Sequence, residues 1–336
     1  MLVLGIESSC DETAAAVVDE ELRVCSNIIS SQVDVHHEFG GVVPELASRQ
    51  HILNIVSVTR RALAEAGVSA SDLSGIAVTT GPGLVGALLV GLQFAKALSF
   101  VHRKPLLAVD HLLAHLESAF VRRGAPTPEF PHVCLLVSGG HTMLGVRRSP
   151  HELEVLGATR DDAAGEAFDK VAKMLGLGYP GGQVVDRLAA AGDPSAIRFP
   201  RAMRGRQEWD FSFSGLKTAV KQHLERLGPP ADDQALADLC ASFQEAVVEV
   251  LVTRARRATR ATGLGQLVVA GGVAANSRLR AALELMAREQ GTELFIPPPV
   301  LCTDNAAMVA VAGHRQLACG VFADLGLNAT ANWVGG

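Results

Sequence analysis

Short apolar runs alternate with amphipathic helical segments along the chain. The run LVLGI at 2–6 leads into a small polar turn, SSCDET, and a second strand is predicted over 14–18 and a third over 23–29. Pro44, a residue favoured in the first turn of a helix, opens a helical pattern that continues to about residue 66. A strand, a glycine turn and a helix follow over 75–100, and the strand LLAVD then ends beside His111. This alternation is typical of a parallel α/β domain.

The opening pattern occurs a second time after the proline-rich segment 124–131. HVCLLVSGGHT is again an apolar strand with a small polar turn, and MLGVRR is again a returning strand. Helices are predicted near 164–175, from about 183, twice after 210, and from about 303. The repetition predicts two α/β lobes, 1–123 and 132–303, and we expect a C-terminal helix, 304–336, to join the first lobe.

Composition narrows the class of protein. Of 336 residues, 48% are hydrophobic but only 4% aromatic, so the core has to be built from Ala, Val and Leu. The net charge of −5 gives no general basic field for nucleic acid, so any such contact must be local. Six scattered cysteines favour reduced thiols. There is no secretion signal, and the apolar runs fall short of the ~20 residues of a membrane span, so we expect a cytoplasmic protein.

Three turns are candidates for phosphate binding. In SGGH, Gly139 and Gly140 can adopt positive φ and let backbone N–H groups converge on an anion. A lone SGG is more often a hairpin turn, but SSCDET occupies the equivalent place in the first lobe, and Gly271 and Gly272 open a helix through Asn276. Neither a Walker motif nor a clear GxGxxG is present, which disfavours P-loop and Rossmann functions.

His111 and His115 are candidate metal ligands. Four residues apart just after a strand, they lie on one face of a predicted helix. A lone HxxxH is more often structural, and the Glu of HExxH is missing. Asp304 can add a carboxylate and complete a set suited to zinc or iron, although an N-cap role for this residue is equally compatible with the sequence.

Charged residues form three further groups. In GEAFDK, Asp169, with Asp186 beyond it, is a candidate to hold ribose hydroxyls, whereas Glu166 and Lys170 can simply pair with each other. Most arginine runs are solvated faces. One arginine cluster lies in a predicted loop and consists of Arg198, Arg201, Arg204 and Arg206. The other lies on a predicted helix and consists of Arg254, Arg256, Arg257 and Arg260. The loop cluster is the better candidate for contact with a phosphate backbone.

A series of long motifs resembles one enzyme family from end to end. The motifs are, in order, GIESSCDET, GGVVPELASRQH, TTGPGLVGALLVG, HLLAH, LLVSGGHT, GEAFDK, GYPGG, FSFSGLKTA, AGGVAANSRLR and CTDNAAM. They resemble the bacterial tRNA N6-adenosine threonylcarbamoyltransferases, the TsaD family, once described as O-sialoglycoprotein endopeptidases. The resemblance implies the α/β fold of actin, Hsp70 and sugar kinases (the ASKHA fold), with two duplicated lobes and a nucleotide cleft between them.

The resemblance also implies roles for individual residues. The metal ligands would be His111, His115 and Asp304. Asp11 and Glu12 fall in an acidic loop associated with catalytic activity. The substrate contacts would be Leu136, Val137, Ser138, Gly139, Gly140, Asp169, Gly182, Asp186 and Asn276.

The implied reaction moves a threonylcarbamoyl group from threonylcarbamoyl-AMP to N6 of adenosine 37, in tRNAs that read codons starting with A, and releases AMP. The enzyme would be a metal-dependent acyltransferase with one divalent ion per subunit, Fe²⁺ favoured over Zn²⁺. Its partners would be tRNA, a TsaB-like paralogue and a TsaE-like ATPase, without a membrane. An ATP-dependent small-molecule kinase of the same fold is the main alternative, but it leaves the two histidines without a purpose. A non-catalytic ATPase scaffold is a third class.

Overall fold

The computed structural model describes residues 1–122, 124, 126–201 and 209–332. The chain divides into two compact units, unit 1 (Met1–Thr127 and Thr303–Gly336) and unit 2 (Pro128–Cys302). The strands are β1 (Val3–Glu7), β2 (Glu12–Val18), β3 (Val24–Ser31), β4 (Gly75–Gly81), β5 (Leu106–Asp110), β6 (His132–Val137), β7 (Thr142–Ser149), β8 (Glu152–Ala158), β9 (Gln266–Ala270) and β10 (Glu293–Phe295). The helices are α1 (Val33–His37), α2 (Pro44–Glu65), α3 (Val85–His102), α4 (His111–Glu117), α5 (Ala164–Met174), α6 (Gly181–Ala189), α7 (Ser214–Leu227), α8 (Asp233–Thr262), α9 (Ser277–Gln290), α10 (Pro299–Cys302) and α11 (Ala306–Ala318).

Unit 1 is built on a five-stranded sheet in the order β3-β2-β1-β4-β5. The central strand β1 runs parallel to β4 and antiparallel to β2. Because alternate residues of a strand face opposite sides, Leu4 and Ile6 pack with the apolar face of α2 and α3, whereas Gly5 faces α11. A Cβ on Gly5 would lie 2.3 Å from the carbonyl oxygen of Ala306, so only glycine permits this close approach of helix and sheet.

Unit 2 has a sheet of the same design, in the order β10-β9-β6-β7-β8. Its central strand β6 runs parallel to β9 and antiparallel to β7, as β1 does with β4 and β2. Both sheets therefore place the first strand in the centre, the next two strands on one side and two parallel strands on the other. The duplication predicted from two strands extends to all five strands of each sheet.

A long helix, α8, organises the core of unit 2. The Asp232 side chain caps its first turn by accepting a hydrogen bond from the backbone N–H of Ala235, and Gly263 ends it in the left-handed conformation. Between these ends, its buried face includes Phe243, whose ring packs edge-on against Phe168 of α5 with 5.2 Å between the ring centroids.

The C-terminal segment departs from the sequence prediction. We expected a helix over 304–336, but α11 covers only Ala306–Ala318 because Gly320, with φ of 69°, ends it. The chain then runs beside the unit 1 sheet: the backbone N–H of Ala323 donates to the carbonyl of Leu106, and that of Thr330 donates to the carbonyl of Thr80. This segment belongs to unit 1, and between Ala318 and residue 332, where the described part of the chain ends, it is not helical.

Within the ranges that the structure describes, one helix, α3, is long and apolar enough to cross a membrane by length and composition alone. Buried helices of globular proteins pass the same test. Leu88 and Leu92 of α3 are fully buried, and the helix packs on β4 and α2. Its apolar character is therefore accounted for in part by the unit 1 core.

A candidate metal centre and phosphate-binding loops

Two histidines face each other on the short helix α4 of unit 1. Asp110, at the end of β5, caps this helix because its Oδ1 accepts hydrogen bonds of 2.9 Å from the N–H groups of Leu112 and Leu113. The cap starts the helix at His111, so His111 and His115 occupy one face, as the sequence predicts. Their ring centroids are 4.7 Å apart, and both side chains are buried.

Asp304 reaches the same place from the segment before α11. The N-cap of α11 is Asn305, whose side chain accepts a hydrogen bond from the backbone N–H of Met308, so the alternative of an N-cap role for Asp304 is wrong. Asp304 Oδ1 lies 3.1 Å from Nε2 of His115 and 3.7 Å from Nε2 of His111. The structure thus brings all three predicted ligands together.

The geometry of this group fits a single cation. Two ligand atoms that bind one tetrahedral metal ion at about 2.1 Å lie about 3.4 Å apart, and the three ligand atoms here all lie within 4.8 Å of one another. Neither ring nitrogen of His115 makes a hydrogen bond within the described part of the chain, although both are buried. Two imidazoles and a carboxylate can therefore hold one metal ion here.

Electrostatics at His111 depend on neighbouring carboxylates. Burial by itself would lower the pKa of this imidazole, but the charges of Glu7 and Asp304 and the hydrogen bond to Glu7 outweigh burial and raise the pKa to about 9. The same contact with His111 holds the pKa of Glu7 below its ordinary value against the opposing effect of burial. A cation bound at Nε2 of His111 would replace a proton on that nitrogen, which faces Asp304, and would leave Nδ1 as the partner of Glu7.

Glu7 is a site residue that sequence reasoning missed. Its side chain is fully buried, and its Oε2 lies 3.1 Å from Nδ1 of His111. The signal was present in the sequence: a carboxylate ends an otherwise apolar strand in GIESSCDET, and a buried carboxylate needs a specific partner.

The acidic loop that follows β1 is tied to α2. Nε2 of His51 lies 3.0 Å from the carbonyl oxygen of Cys10, and its Nδ1 lies 2.8 Å from the Thr13 hydroxyl. Asp11, which lies between Cys10 and Thr13 in the sequence, is buried. Burial of Glu12 raises its pKa well above the ordinary value, and the negative charges of Asp11 and Asp304 raise it further. This loop thus places carboxylates within electrostatic range of the candidate metal ligands.

In unit 2 the SGGH turn follows the buried end of β6, where Leu136 and Val137 lie. Ser138 closes the turn by donating its N–H to the carbonyl of His141, over 2.8 Å. Gly139 and Gly140, which as glycines can adopt positive φ, do not adopt it here, and Cβ atoms on them would meet nothing within 4 Å. These two glycines are exposed, and their lack of side chains leaves open space next to the backbone of the turn.

Two other glycines surround that turn closely. Gly271, with φ of 93°, follows β9, and a Cβ on it would lie 2.4 Å from the carbonyl oxygen of Val137. Gly165, in the first turn of α5, donates its N–H to the carbonyl of Ser138, and a Cβ there would lie 2.8 Å from Cα of Gly139. The first turn of α5 and the turn after β9 therefore both contact the SGGH turn.

The remaining predicted substrate residues hold neighbouring turns of unit 2. Asp169 accepts a hydrogen bond from the N–H of Gly181 at the start of α6, beside Gly182. Asp186 accepts from the N–H and the hydroxyl of Ser277, and Asn276 caps α9 by accepting from Leu279. Asp186 and Asn276 are thus brought to one turn through Ser277. Glu166 and Lys170 pair with each other over 2.7 Å, as their spacing predicts.

The arginine clusters are largely engaged within unit 2. Arg201 forms an ion pair of 2.7 Å with Glu249, and Arg256 forms one of 2.7 Å with Glu289. Arg254 is buried, and the Arg257 guanidinium lies over the Trp209 ring. Arg198 and Arg260 are exposed, while Arg204 and Arg206 lie outside the described residues. The loop cluster therefore remains a prediction.

Comparison with known proteins decides the family. A profile of the TsaD family, described as tRNA N6-adenosine threonylcarbamoyltransferase, matches residues 23–311. A protein of that name from Anaeromyxobacter sp. (strain Fw109-5) is 55% identical over 99% of both chains. Another, from Syntrophus aciditrophicus (strain SB), is 53% identical over 99% of this chain and 97% of its own. The chain belongs to the tRNA N6-adenosine threonylcarbamoyltransferase family.

The fold of this threonylcarbamoyltransferase-family chain is also found in a distant solved structure. Component A of the (R)-2-hydroxyglutaryl-CoA dehydratase from Acidaminococcus fermentans matches 95% of this chain and 99% of its own, with a TM-score of 0.56 and 16% identity. At that identity the likeness concerns the fold alone. The prediction of the fold shared by actin, Hsp70 and sugar kinases, with two α/β lobes, is confirmed.

Proposed function

We propose that this protein transfers the threonylcarbamoyl group of threonylcarbamoyl-AMP to N6 of adenosine 37 in tRNAs that read codons starting with A. The observation that carries this function is identity of 55% over 99% of the chain to an enzyme named for that transfer. The kinase alternative is not favoured, because it gives no purpose to the group formed by His111, His115 and Asp304.

The reaction exchanges one bond to the carbamoyl carbon for another. The N6 nitrogen forms a bond to that carbon, the bond from the carbon to the phosphate oxygen breaks, and AMP leaves with the electron pair. The attacking nitrogen gives up one proton. An exocyclic aromatic amine is a weak nucleophile, so positioning of the two reactants should supply most of the rate enhancement.

In this proposal the group in unit 1 is the metal site. His111, His115 and Asp304 would hold one divalent ion, with Fe²⁺ favoured and Zn²⁺ an alternative, because two imidazoles and a carboxylate suit both. A divalent ion bound there would bind oxygens of the substrate and stabilise the charge that develops on them. The protein would be active only in the metal-bound form.

The turns of unit 2 would bind the adenylate. The backbone of 136–140 would hold the phosphate, supported by the exposed glycines of the SGGH turn and by the first turn of α5. Asp169, Gly182, Asp186 and Asn276 would hold the sugar and the rest of the nucleotide. Support comes from the hydrogen bonds that already fix these carboxylates and turns, since a fixed acceptor loses little freedom when a hydroxyl binds.

The acidic loop and the partners complete the proposal. We assign Asp11 and Glu12 to catalysis; Glu12 has a raised pKa and is suited to exchange a proton with a reacting group. The protein would work in the cytoplasm, where its tRNA substrate is, with a TsaB-like paralogue and a TsaE-like ATPase. The two units, 1–127 with 303–336 and 128–302, would be the two lobes of the enzyme.

One reconstitution tests this function. The purified chain is incubated with tRNA, threonylcarbamoyl-AMP, Fe²⁺ or Zn²⁺ and the bacterial partner proteins, and the digested tRNA is analysed by mass spectrometry for threonylcarbamoyladenosine. We expect the modified nucleoside and an equal amount of AMP. No modified nucleoside, together with a sugar phosphorylated from ATP, would establish the kinase instead.

A second measurement tests the metal site. His111→Ala with His115→Ala should remove tightly bound metal from the purified protein, measured by elemental analysis, and should abolish modification of tRNA. The matched control is His37→Ala, which removes an exposed histidine of unit 1 and should leave the metal content unchanged. If the double variant contained as much tightly bound metal as wild type, the assignment of His111 and His115 as metal ligands would be wrong.

A further inference from the structure

Glu7 is a buried carboxylate that the proposed transfer does not use directly. It is the last residue of β1, and its side chain is fully buried at the end of an apolar strand. A buried carboxylate is retained at such a place only when hydrogen bonds or opposite charges compensate for its lost hydration. Its surroundings therefore indicate a specific task.

Three donors surround the two oxygens of Glu7. Oε1 accepts a hydrogen bond of 2.6 Å from the backbone N–H of Ser9. Oε2 accepts one of 2.7 Å from the hydroxyl of Thr79, a fully buried residue of β4, and lies 3.1 Å from Nδ1 of His111. The contacts with Ser9, in the loop after β1, and with Thr79 of β4 fix the orientation of the carboxylate that His111 meets.

This arrangement determines which ring nitrogen of His111 carries a proton. An ionised carboxylate only accepts hydrogen bonds, so Nδ1 of His111 has to donate. The proton on Nδ1 leaves Nε2 as the nitrogen with a lone pair available to a cation. Nε2 is also the atom of His111 that faces Asp304, at 3.7 Å.

We propose that Glu7 is a positioning residue that holds His111 as the Nδ1–H tautomer, so that Nε2 is presented to the metal ion. Glu7 binds neither metal nor substrate in this role and acts through His111. The inference rests on the metal site of the proposed function, not on the identity of the group that is transferred.

Glu7→Gln tests the proposal with almost no change of volume. A glutamine offers one acceptor oxygen and one donor amide. If the oxygen stays with the Ser9 N–H, the amide faces Nδ1 of His111 and favours the tautomer with the proton on Nε2. If the oxygen faces His111, the amide opposes the Ser9 N–H. Either way, the state that binds metal is disfavoured.

The measurements use the full chain and Zn²⁺ as the probe. Competition with a chromophoric chelator should give a zinc affinity about 10- to 100-fold lower for Glu7→Gln than for wild type, the usual effect of losing a partner behind a metal-binding histidine. In the zinc-loaded, ¹⁵N-histidine-labelled protein, the Nδ1 proton of His111 should resonate far downfield in wild type and move upfield in the variant.

Ser9→Ala is the matched control, because the Ser9 hydroxyl also lies near Nδ1 of His111, at 3.3 Å. We expect Ser9→Ala to keep both the zinc affinity and the downfield signal. Zinc affinity that survives in Glu7→Gln, or that falls without any change of the signal, would overturn the proposal, as would loss of both in Ser9→Ala alone.

Two safeguards keep the outcome clear. If Glu7→Gln does not fold, Glu7→Asp replaces it. This substitution keeps the negative charge but moves it away from the His111 ring by the length of one carbon–carbon bond. The zinc affinity and the Nδ1 proton signal of His111 are then measured in the same way. Wild-type protein that binds zinc but does not modify tRNA would refute the proposed function and leave the role of Glu7 standing. Wild-type protein that modifies tRNA without binding metal tightly would refute the role of Glu7 together with the proposed metal site, and would leave the proposed transfer itself standing.

Discussion

At the scale of single residues, the neighbours Asp304 and Asn305 divide two tasks that the sequence could not separate. Asp and Asn are both good helix caps, so the motif CTDNAAM left the role of Asp304 open. The structure gives the cap to Asn305 and directs Asp304 to the histidines. Which of two adjacent polar residues caps a helix depends on backbone dihedrals, and residue types alone do not fix them.

This division predicts opposite effects of two substitutions. Asp304→Asn should strongly reduce bound metal, because it removes the only carboxylate of the group. Asn305→Ala should instead lower the free energy of unfolding of the metal-free protein by about 1 kcal/mol through loss of the cap, with the ligand residues intact. Elemental analysis and urea unfolding measure the two effects. If Asp304→Asn retained its metal, Asp304 would not be a metal ligand and its role would be structural.

His51 makes stability depend on pH. It is fully buried, and burial lowers its pKa, so the folded state favours the neutral ring while the unfolded state takes up a proton near the ordinary pKa of about 6.5. The free energy of unfolding should therefore fall as pH drops from 7.5 to 5.5, by at most about 1.4 kcal/mol per pH unit from this group.

His51→Gln is the comparison for that pH effect, because it cannot titrate but retains donors and acceptors. Urea unfolding of both proteins at several pH values should show the wild type losing stability relative to the variant on acidification. Curves that run parallel over the whole range would mean that His51 has no lowered pKa.

At the scale of elements, long periodic segments were predictable and short edge strands were not. The helix from Pro44 was predicted to about 66 and is observed as Pro44–Glu65, because Pro44 and the helical spacing of apolar residues agree. The strands β8 and β10 were not predicted. The first has a single buried residue and the second has only three residues, so β8 is fixed by pairing with β7, and β10 by pairing with β9, instead of by its own pattern.

The packing of α5 against the SGGH turn predicts a defect in nucleotide binding. Gly165→Ala would place Cβ 2.7 Å from the carbonyl oxygen of Ser138, and the turn has to shift to relieve the clash, at a cost of about 1–3 kcal/mol. We expect weaker binding of AMP, measured by isothermal titration calorimetry on the full chain.

Gly215→Ala is matched to that substitution. Gly215 is the second residue of α7, as Gly165 is of α5, but a Cβ there would meet nothing within 4 Å. This variant should bind AMP as wild type does. Equal affinities of the two variants would mean that the first turn of α5 does not support the binding turn.

At the scale of the whole molecule, the repeat of one lobe in the other was predictable from sequence. Each lobe begins with an apolar strand, a small polar turn and a returning strand. This repetition sufficed to predict two related lobes, because the same pattern of apolar residues favours the same buried sheet. We expected a C-terminal helix to join the first lobe, but its close approach to β1 was not predicted, since it depends on Gly5 and on a segment about 300 residues later in the chain.

The two units should differ when they are expressed as fragments. Residues 128–302 form one continuous segment with its own core and should unfold cooperatively, as followed by circular dichroism. Residues 1–127 alone lack α11, which covers one face of β1, β4 and β2, and should not form a stable fold. Adding residues 303–336 to the 1–127 fragment should restore its folded structure. Cooperative unfolding of 1–127 alone would contradict this dependence.

The late position of Asp304 has a consequence for the protein during its synthesis. A ribosome translates about 190 residues between His115 and Asp304, which takes about 10–40 s at bacterial rates of about 5–20 residues per second. During that interval the nascent chain displays two histidines without their carboxylate. On the proposed function, a cation would then be retained only weakly, so the finished chain, and not the growing one, would select the metal.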